Sequence, residues 1–271
     1  MEVDCERLVA LAKKVRLHTL DIVCRTRCPH IGPAFSCIEL LVSLYFNTLK
    51  TCPEHPEDPE RDRFIFSKGH ACPALYSVLF ERGFISRERM QGFAVNGGTM
   101  QQHPDYNLGC GIEFSTGSLG HGLSVGAGMA YALKKDNSPA RVFVMLSDGE
   151  LNEGSTWEAV LFAAHHKLNN LVLIIDYNRM QALGFTHDTL QLDPLAAKFE
   201  AFNWAPQTID GHNFQAILSS LDLASREDSK PSVVIAETVK GKGVSFMENN
   251  LQWHYDCPNS DQYALACGEI E

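Results

Sequence analysis

The chain has 271 residues, 45% of them hydrophobic and 21% charged, a composition that suits one globular α/β domain with a complete core. Its formal net charge of −10 argues against a nucleic-acid backbone as partner, which calls for a basic face. Nine cysteines scattered from Cys5 to Cys267, with no CxxC pair, read as reduced thiols rather than a disulfide framework.

The N-terminal MEVDCERLVALAKKV is acidic and amphipathic, unlike a signal peptide, and no apolar run reaches the roughly 18 residues of a membrane span. The expectation is a cytoplasmic protein with no membrane partner. Apolar residues Leu8, Leu11, Ala12, Val15, Leu20, Ile22 and Val23 predict a helix from Cys5 to about Thr26. Cys28-Pro29-His30-Ile31-Gly32-Pro33 breaks it, and a second helix is expected from Ser36 to about Asn47, packed through Ile38, Leu40, Leu41, Leu44 and Phe46. Cys24 and Cys28, with Cys37, admit a metal-ligand reading, but spacing on one helical face explains the pair without it. Thr51 to Arg61 is a solvated loop whose charges need no function.

Arg63 to Phe66 is a short strand, followed by Ser67-Lys68-Gly69-His70 and a helix from about Pro73. A helix N-terminus there attracts anions, although His70 taken alone reads as a hydrogen-bonded structural histidine. MQQHPDYNLGCGIEFSTGSLGH, Met100 to His121, has turn chemistry. Gly120 to Lys135 continues as a helix whose Gly122, Ser124, Gly126 and Gly128 permit close packing. The spacing GHGLSVG is not GxGxxG and no ribose-binding acid follows, so a nicotinamide site is poorly supported.

Arg141 to Asn178 reads as strand, loop, helix and strand. Val142 to Leu146 and Leu171 to Ile175 are uninterrupted apolar runs suited to strands buried on both faces. Between them, Ser155 and Glu158 form a capping-box pattern, Trp157, Val160, Leu161, Ala164 and Leu168 one apolar stripe, and Lys167 suits the last turn. Such a unit brings both strands out on the same sheet edge, where open α/β sheets bind ligands. Asp148 and Asn178 then lie together and offer one carboxylate and one amide oxygen, a pair that fits a magnesium diphosphate site. Service in turns is the alternative for both. A helix from Leu195 to Phe202, a strand from Pro206 to Ile209, a helix from Asn213 to about Ser225 and a strand from Ser232 to Glu237 follow. Lys240-Gly241-Lys242-Gly243 is either a ligand loop or a solvated basic turn. The fold class is α/β, an open mainly parallel sheet with helices on both faces, in a single domain over 1-271.

Ser147-Asp148-Gly149, with Asn178 thirty positions beyond Asp148, resembles the thiamine diphosphate signature. Together with SKGH at Ser67 to His70, HPD at His103 to Asp105, STGSLG at Ser115 to Gly120 and KGKGVSFMEN with Trp253-His254, the chain from about Leu8 to Pro258 resembles the transketolases, in particular their separately encoded N-terminal subunits. The resemblance implies a thiamine-diphosphate-binding fold with thiamine diphosphate and Mg2+ as cofactors. It makes His30, His70 and His103 the catalytic histidines. His70, Gly117, Ser118, Leu119, Asp148, Gly149, Glu150, Asn178 and His254 would bind the cofactor, and Asp148, Asn178 and the Met180 carbonyl the metal. Glu153 matches a glutamate of the family's dimer interface.

The implied reaction moves a two-carbon ketol unit from a ketose, phosphorylated or otherwise anionic, to an aldose, with the cofactor as electron sink. A deoxyxylulose-phosphate synthase or the α subunit of a 2-oxo acid dehydrogenase shares the signature, and a non-catalytic cofactor-binding paralogue is a further alternative. The departures are Pro29, Pro33, Gln102, His121, Leu183 and Tyr255. The pyrimidine-binding domain, which follows in full-length members, is expected on a partner chain, the C-terminal transketolase subunit, in an α2β2 heterotetramer.

Overall fold

The computed structural model describes Asp4–Glu271. Helix α1 (Cys5–Thr26) begins where the Asp4 side chain accepts from the Arg7 backbone N–H at 3.0 Å, and it buries Leu8, Ala12, Val15, Leu20, Ile22 and Val23 as the periodicity requires. The second helix starts earlier than expected, as α2 (Ile31–Ser36), α3 (Ile38–Ser43) and one π turn, Leu44–Thr48. Pro33 does not end it, because in a first turn its missing N–H has no intrahelical partner to lose. The break is confined to the residues just before it, with Arg27 and His30 in left-handed backbone at φ 56° and 75°.

The remaining helices are α4 (Cys72–Arg82), α5 (Arg87–Gln91), α6 (Gly122–Lys135), α7 (Gly154–His165), α8 (Thr186–Thr189), α9 (Leu195–Ala201), α10 (Phe214–Arg226) and α11 (Ser260–Ile270). Short α5 and α8 and the terminal α11 are additions to the elements expected from the sequence. Strands β1 (Arg63–Phe66), β2 (Val142–Ser147), β3 (Leu171–Tyr177), β4 (Ala205–Asp210) and β5 (Ser232–Glu237) pair entirely in parallel, in the order β1-β2-β3-β5-β4.

Alternate strand residues enter two apolar cores, one on each face of the sheet. Phe64, Phe143, Val172 and Val234 pack with α1, α3, α4 and α10, whereas Ile65, Val144, Leu173 and Ile235 pack with α6, α7 and α9. The chain passes from β3 outward to β4 and returns to β5, so the strand order reverses between β3 and β5. In open α/β sheets the crevice at such a reversal, outside the strand carboxyl ends, is where ligands bind.

Four local expectations are corrected. The capping box does not form: Glu153 is the N-cap of α7 and makes no side-chain cap, because the Ser155 hydroxyl donates to the Gly120 carbonyl at 2.8 Å instead. The buried face of α7 is Thr156, Ala159, Val160 and Ala163, while Leu161 is 54% exposed and Lys167 lies beyond the helix end. Arg61, placed in a solvated loop, is buried and pairs with Glu113 at 2.8 Å. In α6, Gly122 and Gly126 face the sheet, but Ser124 and Gly128 are exposed. No helix among the described residues is long and apolar enough to cross a membrane.

Candidate active site

A cavity of about 300 Å³ opens at the carboxyl ends of β1, β2, β3 and β5. It gathers seven of the residues expected to act on cofactor, metal or substrate: His70, Leu119, Asp148, Gly149, Asn178, Met180 and His254. Ser147 and Asp176 are register partners on neighbouring strands, so Asp148 and Asn178 leave the sheet side by side. Both are buried, at 2% and 7% exposure, which is more than a pair of surface turns requires.

Oxygens converge here. Oδ1 of Asp148 accepts from the Gly149 N–H at 2.8 Å, but its Oδ2 is buried with no hydrogen-bond partner. Asn178 Oδ1 accepts from the Met180 N–H at 3.1 Å. The Met180 carbonyl accepts from the ammonium of Lys240 at 3.1 Å, and the Gln181 carbonyl from the same group at 3.3 Å. Burial, and then the neighbouring charge of Asp176, push the Asp148 carboxyl up to about 7. A buried carboxylate oxygen left unpaired is a costly arrangement unless a cation completes it.

Two lysines supply the opposite charge. Lys68 is fully buried and pairs with the fully buried Asp176, which also accepts from the hydroxyls of Ser36 and Thr238; the ammonium donates to the Pro33 carbonyl at 2.9 Å. Burial disfavours both charges, but each partner outweighs it, holding Asp176 below and Lys68 above the ordinary values. Lys240, 1% exposed, contacts His254 Nδ1 at 2.8 Å, and burial lowers its ammonium to about 8. Lys68 is neutralised by Asp176, so it is the ammonium of Lys240 that makes this floor attractive to anions. Neither lysine has a role legible in the sequence, although each sits in a quoted motif; their partners are 108 and 60 positions away and no local pattern reveals them.

The histidines form one cluster. The His30 ring lies 5.4 Å from that of His70 and 5.3 Å from that of His254, and the last two stack at 5.9 Å. The His30 N–H donates to the His254 carbonyl at 3.0 Å, which fixes His30 in its left-handed conformation beside the cavity. His103 is exposed and its ring packs over Gly117, while Ser118 is also exposed; neither His103, Gly117, Ser118 nor His30 lines the cavity itself. Gly69 permits this loop contact, since a Cβ there would lie 2.7 Å from Thr116 Oγ1 and 2.9 Å from the Gly117 nitrogen. Glu150 is placed differently from the expectation: it is fully buried beneath the cavity and does not line it. Of the departures, Pro33 and Leu183 line the cavity, Pro33 buried and Leu183 exposed, whereas Gln102, His121 and Tyr255 are exposed; Tyr255 packs against His254 with ring centroids 4.8 Å apart.

Burial, with His103 and Lys240 next, lowers His30 to about 4; burial, with Lys240 next, lowers His254 to about 3; and His70 is lowered well below its ordinary value, first by burial and then by Lys68. These imidazoles are neutral at pH 7. A depressed folded-state value means that the unfolded chain binds more protons between that value and about 6.5, so stability from this source is lost as pH falls through that window. His30→Gln is therefore expected to gain melting temperature relative to the parent on going from pH 7.5 to pH 5; a constant difference between the two proteins would contradict the assignment.

Residues 8–265 match the family model described as transketolase, thiamine diphosphate binding domain. The chain is 39% identical to one subunit of the apulose-4-phosphate transketolase of Phocaeicola vulgatus, over 98% of this chain and 94% of that protein. It is also 39% identical to the 6-deoxy-6-sulfo-D-fructose transketolase subunit SqwG of a Clostridium species, over 96% and 94%. The crystal structure of transketolase from Campylobacter jejuni superposes with a TM-score of 0.92 at 28% identity, covering all of this chain, which spans 43% of that protein's length. By this match over nearly its whole described length, the chain belongs to the transketolase family and carries its thiamine diphosphate binding domain.

Proposed function

We propose that this chain is the diphosphate-binding, N-terminal subunit of a two-component transketolase that moves a two-carbon ketol unit from an anionic ketose to an aldose. The unpaired, buried Oδ2 of Asp148, in the cavity that Asn178 and Met180 also line, carries the reading. That donor set fits magnesium, which takes hard oxygens and only one or two carboxylates. No group of three or more His, Cys, Asp or Glu suited to a metal ion occurs among the described residues, so the set is not of the zinc type. Asp148, Asn178 and the Met180 carbonyl would hold Mg2+, and Gly149, His70, His254 and Lys240 the diphosphate. Thiamine diphosphate, when bound, supplies the electron sink for carbon–carbon cleavage and transfer.

The chain's own groups do the rest. Lys240 offsets diphosphate charge while Lys68, held by Asp176, supports the cavity wall, and the Ser115–Gly120 loop, through Gly117, Ser118 and Leu119, borders the aminopyrimidine. His30, His70 and His103 bind substrate hydroxyls and move protons, the first two as imidazoles that burial keeps neutral. The relatives named above are subunits of transketolases for anionic ketoses, which favours this reading over the other thiamine diphosphate enzymes. Nine free cysteines suit a reducing compartment such as the cytoplasm. The pyrimidine-binding domain resides on a partner chain, and two copies of each close an α2β2 assembly.

Titration calorimetry tests the cofactor reading: thiamine diphosphate binds the chain only with Mg2+ present, and no heat in either condition rejects it. The histidine roles separate in kinetics with the partner present. Ala at His30 or His103 lowers kcat/KM by about 100-fold with cofactor affinity little changed, whereas Ala at His70 or His254 weakens cofactor retention. Identical behaviour of the two pairs in both assays would remove the assignment.

A further inference from the structure

Glu150 joins three segments that reach the site separately. Its Oε1 accepts from the Ser67 hydroxyl and from the Gly120 N–H, the latter at 3.0 Å. Ser67 ends the β1 segment and precedes Lys68 and His70 on the cavity wall; Gly120 ends the loop whose Leu119 forms another part of that wall. Glu150 itself stands two residues after Asp148. The loop end is pressed onto the start of α7: Gly120 has φ 82°, and a Cβ there would lie 2.7 Å from both Glu153 Cβ and Ser155 Oγ. Further back, the Thr116 hydroxyl donates to the Phe66 carbonyl at 2.9 Å.

The second carboxyl oxygen of Glu150, Oε2, is buried without a partner, so holding an acid here costs stability that an apolar residue would not. The four residues of the 3-10 turn Gly149–Asn152 keep their backbone course independently of this side chain, since the Leu151 N–H donates to the Asp148 carbonyl at 3.0 Å and the Thr156 hydroxyl to the Glu150 carbonyl at 3.1 Å. What the carboxylate adds is the span between the turn that bears Asp148 and the loop that bears Leu119.

We infer that Glu150 is a positioning residue that sets the distance between the diphosphate end of the site and the Ser115–Gly120 loop, so that retention of the organic rings of thiamine diphosphate, and not of its diphosphate, depends on it. This rests on the cofactor reading above. Removing the carboxylate leaves the oxygens of Asp148, Asn178 and Met180 in place, but it frees the Gly120 N–H and the Ser67 hydroxyl and lets the loop drift from the cavity.

The test compares thiamine diphosphate with inorganic pyrophosphate, each with Mg2+, by calorimetry on the full chain. Glu150→Ala weakens thiamine diphosphate about tenfold, equivalent to about 1.4 kcal/mol, and leaves pyrophosphate within about twofold. Glu150→Gln, which keeps an acceptor oxygen, restores the parent affinity to within about threefold. Ser67→Ala, which removes one of the two donors, weakens thiamine diphosphate alone by about threefold, and it decides the matter if Glu150→Ala does not fold. Equal loss of both ligands, loss of neither, or a parent chain with no preference for thiamine diphosphate over pyrophosphate overturns the inference. A parent that binds neither ligand removes the cofactor reading, and the inference falls with it.

Discussion

Asp148→Ala abolishes magnesium-dependent binding of thiamine diphosphate while the fold survives. The carboxylate is the site's one acidic oxygen donor in the proposed cation set, and magnesium with a diphosphate draws its protein charge from one or two such groups. Loss of outer-shell partners typically costs 10- to 100-fold in metal affinity, so loss of this ligand is expected to exceed about 100-fold. Structurally the residue contributes little: Oδ2 touches no donor, and Oδ1 holds only the adjacent Gly149 N–H. Because burial and Asp176 already push this carboxyl up to about 7, its removal relieves a desolvation cost, and the melting temperature of the cofactor-free variant stays level or rises. Calorimetry and thermal unfolding on the same preparation check both halves. Undiminished affinity, or a variant that melts well below the parent, contradicts the account.

The second large effect is catalytic silence of the isolated chain. By its resemblance to transketolases, the cofactor needs a carboxylate against its aminopyrimidine ring, and the family supplies that glutamate from the pyrimidine-binding domain. Only two residues lining the cavity carry carboxylates, Asp148 and Glu153. Asp148 is assigned to the proposed cation, and Glu153, exposed at the start of α7, is by the same resemblance an interface glutamate. Glu150 is closed off under the loop. A general acid or base typically contributes 10²- to 10⁴-fold, so ketol transfer by the chain alone is expected at least about 100-fold below that of the complex. The activity should appear on adding a second, differently encoded polypeptide. Full turnover by the highly purified single chain, in the presence of thiamine diphosphate and Mg2+, would be the contrary result.

Much of the architecture is legible in the residues themselves. The bounds of α1, β1 and β5 coincide with the expected ones because each is a clear periodic or apolar run ended by turn residues. The parallel crossover rule alone puts Asp148 and Asn178 together, and the register of β2 against β3 bears this out. The misreadings share a cause. Ser155 looks like a cap but gives its hydroxyl to Gly120, 35 positions away, and Glu150 looks like a cavity residue but turns inward to Ser67, 83 positions away. For Ser155 a tertiary partner overrides a local pattern, and Glu150, which the resemblance alone placed at the cofactor, is held by a bond of the same long range. Lys68 with Asp176, and Lys240 with the Met180 carbonyl, are likewise products of the strand order, which brings the ends of β1, β3 and β5 to one edge.

The central claim is that one divalent cation on Asp148, Asn178 and the Met180 carbonyl fastens the cofactor's diphosphate to this chain. A crystal structure grown with thiamine diphosphate and Mn2+ in place of Mg2+, with anomalous data at the manganese edge, tests it most directly. One strong anomalous peak is expected within ligand distance of Asp148 Oδ2, Asn178 Oδ1 and the Met180 oxygen. A peak held by other residues, or a diphosphate seated in the cavity with no cation at these three oxygens, would contradict it.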